Sequence, residues 1–117
     1  MKKKILIVDN NSGGRLEKLE ALCSECLPLA HIYAVPSINR QNYISGQYDL
    51  VLAHEGNHES ADIEEGWDSP DTRIILFSGG NSQPLSDFDG IYYAKDTYLT
   101  DKNNLNNLLN KILENDS

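Results

Sequence analysis

The sequence predicts an α/β domain in which five short strands pair in parallel and helices cover the sheet. Three observations carry this. Short β-type runs alternate with helical patterns along the chain, the signature of βα units. The first β-type run is continuously apolar from Ile5 to Val8, as a strand covered on both faces must be. The final segment bears a helical stripe of leucines and isoleucine, which needs a sheet to cover. At 117 residues the chain is long enough for one core, so residues 1–117 are read as a single domain.

The elements follow in order. Lys4-Ile5-Leu6-Ile7-Val8-Asp9 is the first strand, rich in β-branched residues. Gly13-Gly14 makes a turn, and Leu16, Leu19, Leu22, Cys23, Cys26 and Leu27 then recur at helical spacing. Pro28 ends that helix by disfavouring the α conformation of the residue before it. His31 to Val35 is the second strand, and Ser37 is placed to cap a short helix through Ile38 and Ile44. Asp49 to Ala53 is the third strand, Arg73 to Phe77 the fourth and Gly90 to Ala94 the fifth. Thr100-Asp101 opens the last helix, whose apolar stripe is Leu105, Leu108, Leu109, Ile112 and Leu113. The segments after the third and fourth strands are polar, so their helices are expected to be reduced to a turn or two.

A formal net charge of -8 opposes binding to a nucleic-acid backbone or an anionic membrane, since both would be repelled. No apolar run approaches the roughly 20 residues a membrane span needs. The basic start, Met1 to Lys4, is followed by only Ile5 to Val8 as an apolar run, too short for a signal peptide. The chain is therefore expected to be cytoplasmic, where Cys23 and Cys26 need not form a disulfide.

Four stretches, "KILIVDNN", "YDLVLAH", "IILFSGG" and "YYAKD", each closing an expected strand, resemble the receiver domain of two-component response regulators. The resemblance covers nearly the whole chain. It implies a flavodoxin-like (βα)5 fold, a doubly wound five-stranded parallel sheet, with the third and fourth helices shortened here. In such a sheet ligands sit at the carboxyl ends of the strands. The family's magnesium-holding acidic pair matches Asp9 and Asn10, so one acid has become an amide. The phosphorylatable aspartate is matched by His54, the phosphoryl-contacting hydroxyl by Ser78 and the closing lysine by Lys95. The aromatic switch position is Tyr92, and Asp96 stands where the family has proline. Imidazole cannot form the family's acyl phosphate. Two fewer carboxylates leave a poor site for a hard cation that prefers oxygen ligands. The resemblance thus implies a pseudo-receiver: the fold without the phosphorelay.

Other motifs have competing readings. His54-Glu55-Gly56-Asn57-His58 fits H-E-x-x-H, which on a helix would offer His54 and His58 to zinc and Glu55 as general base. Gly56 and Asn57 are poor helix formers, and Leu50, Val51 and Leu52 run consecutively, so strand and loop is the preferred reading. Cys23-Ser24-Glu25-Cys26 reads C-x-x-C, but late in a helix and on its apolar face, which favours small buried residues over a redox pair. Ser78-Gly79-Gly80 beside Lys95 suits an anion-binding nest; the plainer alternative is a tight turn with Lys95 paired to Asp9. The acidic stretch from Glu55 to Asp71 reads as a solvated face, with Ile63 and Trp67 docking a short helix.

The function expected from these readings is a non-phosphorylatable pseudo-receiver that regulates through protein–protein contact or self-association, without catalysis and without a cofactor. A zinc hydrolase built on His54, Glu55 and His58, an anion sensor using Ser78 and Lys95, and a flavodoxin-like binding module are the alternatives. A shortened fourth helix would leave the fifth strand open, where Tyr92, Tyr93 and Tyr98 crowd the strand and its exit, so partner or dimer contacts are expected around Tyr93 and Tyr98, with the last helix beside them. An exposed Trp67 in its acidic rim is the rival surface.

Overall fold

The computed structural model of the protein describes residues 3–9, 12–36, 48–54, 73–80, 85–88 and 91–114. These residues form an α/β unit with a mixed six-stranded sheet and three helices. Strand β1 is Lys4–Val8, β2 His31–Val35, β3 Leu50–His54, β4 Arg73–Ser78, β5 Leu85–Phe88 and β6 Ile91–Lys95. Helix α1 is Arg15–Cys26, α2 the single turn Asp96–Leu99, and α3 Lys102–Glu114. The sheet order is β2-β1-β3-β4-β6-β5. The first five strands in that order are parallel, and β5 joins β6 antiparallel.

Strands β1, β3 and β4 bury both faces, and their alternation sorts the core into two layers. Ile5, Ile7, Leu50, Leu52, Ile75 and Phe77 point to the face covered by α1 and α3. Leu6, Val8, Val51, Ala53, Ile74 and Leu76 form the opposite cluster. A run with no polar residue is what such a double burial requires.

Helix α1 starts where two left-handed residues, Gly13 (φ 63°) and Gly14 (φ 78°), reverse the chain after β1. Leu16, Leu19 and Cys23 are its buried stripe. It stops as expected: the Leu27 N–H donates to the Cys23 carbonyl at 2.8 Å, and Pro28 follows. Helix α3 is capped by Asp101, whose Oδ1 accepts the Asn104 N–H at 3.1 Å. Its whole expected stripe, Leu105, Leu108, Leu109, Ile112 and Leu113, is buried. Each such leucine contributes roughly 1.5–3 kcal/mol by leaving water. An exposed ion pair, Lys102–Glu25 at 3.5 Å, also joins α3 to α1.

Two expectations are corrected. The sheet is not five-stranded and wholly parallel, because β5 adds an antiparallel edge. It occupies the segment expected to hold a shortened fourth helix: Leu85–Phe88 hydrogen-bonds to Ile91–Ala94 instead. Backbone pairing with a strand that already needs an edge partner outweighs the weak helical tendency of Leu-Ser-Asp-Phe. The second consequence is that β6 is not an open edge. Tyr92 is half-buried against the α1–α3 face, Tyr93 against the opposite cluster, and Tyr98 of α2 against the first. Neither Tyr92 nor Tyr93 is a fully exposed anchor. The expected helix from Ser37 through Ile44, and the stretch holding Glu55, His58, Ile63 and Trp67, lie outside the described residues.

Candidate functional site

The parallel strands reverse order at β1, whose neighbours β2 and β3 lie on either side. The carboxyl ends of β1 and β3 therefore flank a switch point, where open α/β sheets place ligands. Asp9 follows β1 and is fully buried. His54 closes β3, Ser78 closes β4 and Lys95 closes β6. Asn10 lies outside the described residues.

The centre of this end is Arg15, the first residue of α1. Its Nε donates to Asp9 Oδ2 at 2.6 Å and its Nη2 to Asp9 Oδ1 at 2.7 Å. Its Nη1 donates to Asp96 Oδ2 at 3.0 Å. The two contacts to Asp9 make a side-on fork, the strong geometry for a guanidinium and a carboxylate. The guanidinium carbon also lies 6.0 Å from the centre of the Phe77 ring. Gly13 and Gly14, both left-handed, lie in the turn that leads from Asp9 to Arg15, conformations that glycine adopts without strain.

Asp96 links the fork to the next strand end. His54 Nε2 lies 3.7 Å from the same Asp96 Oδ2. The imidazole packs edge-on against Phe77, with ring centres 5.2 Å apart. The other Asp96 oxygen, Oδ1, is buried without a hydrogen-bond partner among the described residues. So Asp9, Arg15, Asp96 and His54 form one chain of contacts across β1, α1, α2 and β3. Asp9 supports Arg15 in its charged form: the hydrogen bonds to Asp9 raise its pKa, burial opposes this, and the charges of Asp9 and Asp96 add to the rise.

The expected pairing of Lys95 with Asp9 is not made. Among the described residues Asp9 is held by Arg15, through both oxygens. Ser78 and Lys95 are register partners across β4 and β6, so these two do come together. No group of three or more His, Cys, Asp or Glu side chains gathers for a metal among the described residues. Glu55, His58 and Trp67 lie outside them, while His54 itself stands on a strand.

The cysteines behave as small core residues. Cys23 is fully buried, and burial pushes its thiol up to about 12, with the Cys26 charge adding. Cys26 is half-buried, and burial raises its thiol as well.

Arg15 and Asp96 are the two residues that sequence reasoning left out of the site. Asp96 was visible only as a departure from the proline of the family the sequence resembles. Arg15 carried one signal: a cation opening a helix directly after Asp9 and a glycine pair. A helix N-terminus disfavours a cation, so an arginine there invites the search for a carboxylate partner. Comparisons of the chain with protein-family models, with curated proteins and with solved structures find no match.

Proposed function

We propose that this chain is a receiver-like module that acts through protein contact and has exchanged the phosphorelay for an internal ion pair. The observation that carries the reading is Arg15 forked onto buried Asp9. In a working receiver that carboxylate would hold a magnesium ion. Here it faces a tethered cation instead, and both oxygens are engaged. His54 at the end of β3 reinforces this, because imidazole cannot carry the acyl phosphate the family forms at that position. The parallel strands, counted without β5, run 2-1-3-4-5, the order of flavodoxin-like sheets, which supports the family reading. On this reading β5 is an addition at the edge.

A module without transferable phosphate must pass information by binding a protein partner or a second copy. The coverage of β6 by β5 moves the expected contact away from an open strand edge. A second reading, anion sensing, rests on the adjacency of Ser78 and Lys95. The strand position of His54 weighs against the hydrolase reading, which needs His54 on a helix.

The test is mass spectrometry after incubation with acetyl phosphate and magnesium, alongside an intact receiver. The chain should keep its mass while the control gains one phosphoryl group. An acid-labile, hydroxylamine-sensitive adduct on this chain would overturn the proposal. Titration with inorganic phosphate separates the second reading: saturable binding lost in Lys95→Ala would favour anion sensing.

A further inference from the structure

We propose that the carboxyl end of the sheet is a guanidinium clamp, and that the chain uses it to hold Arg15 as an internal latch between β1, α1 and α2. Three features match a guanidinium in particular. Asp9 presents both oxygens to two adjacent N–H groups, Nε and Nη2, at 2.6 and 2.7 Å. A planar fork satisfies that arrangement, whereas a lysine ammonium meets it as a point charge. Asp96 takes a third N–H on the remaining arm, from Nη1 at 3.0 Å. Phe77 supplies an aromatic ring 6.0 Å from the guanidinium carbon, within the range of cation–π attraction.

The receptor half of this clamp is built into the core. Asp9 is fully buried, and Phe77 is fully buried beneath the site. A buried carboxylate without a counter-charge is costly, so the site demands a cation whatever its source. The bound cation is present in the structure as a side chain. Because it is tethered, binding is intramolecular, and the latch is closed in the resting protein. It ties the start of α2, and through α2 the start of α3, to the end of β1. The proposal rests on this geometry alone and does not need the receiver reading.

The experiment is chemical rescue in the full-length chain. Arg15→Ala removes the tethered guanidinium and leaves Asp9, Asp96 and Phe77 in place. Methylguanidinium at millimolar concentration should then raise the melting temperature of the variant in a saturable way, and leave the wild type unchanged. Magnesium chloride at matched ionic strength should give no saturable rise. Adding Asp96→Asn to Arg15→Ala should weaken the rescue about tenfold, since one charge-assisted contact is lost. Should Arg15→Ala not fold alone, recovery of its far-ultraviolet circular dichroism with methylguanidinium becomes the same readout. Absence of rescue by methylguanidinium in either case overturns the clamp. Equal rescue by magnesium overturns its specificity for a planar cation. Either failure leaves the phosphorylation test above unaffected, so the two ideas fail separately.

Discussion

Replacing Arg15 by methionine isolates the energetic weight of the ion pair. The change keeps the length of the side-chain stem and removes its charge. Asp9, fully buried, would lose both guanidinium donors at once. Breaking a buried pair from one side costs about 3–5 kcal/mol, chiefly because a charge is left without compensation. The Arg15 side chain is 19% exposed, so water can partly replace it. That argues for the lower end, about 3 kcal/mol. Removing both partners is a different perturbation. Asp9→Leu with Arg15→Met leaves no buried charge at that point, and such replacements are often close to neutral. The double variant should therefore be more stable than Arg15→Met alone, with a coupling energy of about 2 kcal/mol or more. Urea unfolding at neutral pH, with the denaturant slope held as a check on two-state behaviour, measures all four corners of the cycle. A cost for Arg15→Met under about 0.5 kcal/mol, the scale of an exposed pair, would show that Asp9 does not depend on this cation. Simple addition of the two single losses would likewise show that the two side chains are not coupled.

Three further outcomes are expected. Asp101→Ala should cost about 1 kcal/mol by uncapping α3, while Lys102→Ala, which breaks only the exposed pair with Glu25, should stay within about 0.5 kcal/mol; equal effects in urea melts would contradict the capping argument. Gly14→Ala should cost about 1–2 kcal/mol, because φ 78° is a left-handed position that alanine resists; an unchanged melting midpoint would show that the turn relaxes freely. Burial holds Cys23 in its neutral form, so its contribution is complete below the ordinary thiol value of 9.0 and is lost as pH rises toward about 12. Stability should fall by up to about 1.4 kcal/mol per pH unit in that window, and Cys23→Ala should flatten the fall; a slope that the variant does not change would assign it to other groups.

Much of the architecture was legible because it depends on local pattern. β1, β3 and β4 are continuous apolar runs, and a doubly covered strand leaves that trace in any sequence. The α3 stripe and its Asp101 start were visible for the same reason. The partnership of Arg15 was not. It depends on a six-residue reach across two left-handed glycines to Asp9, and on a contact with Asp96, 81 residues away. Neither separation leaves a periodicity. β5 was missed because four residues, Leu-Ser-Asp-Phe, are too few to show a period, and pairing with β6 rather than their own propensity makes them a strand. Reading that stretch as a short helix also misplaced the tyrosines, since an open edge was inferred from it.

The antiparallel strand also bears on how the chain reaches its fold. β5 and β6 are separated only by residues 89 and 90, whereas every parallel pairing in the sheet must close a long loop. Loop closure costs entropy before any contact repays it. Hairpins close in about 1–10 μs, and sheets dominated by distant pairings are slow. We expect β5–β6 to be the earliest pairing, offering β4 a two-stranded template on which to dock. The edge that closes the sheet on one side would then be where its assembly begins. Pulsed hydrogen exchange should protect the β6 amides before those of β1 and β3, and the reverse order would remove β5 from any such role.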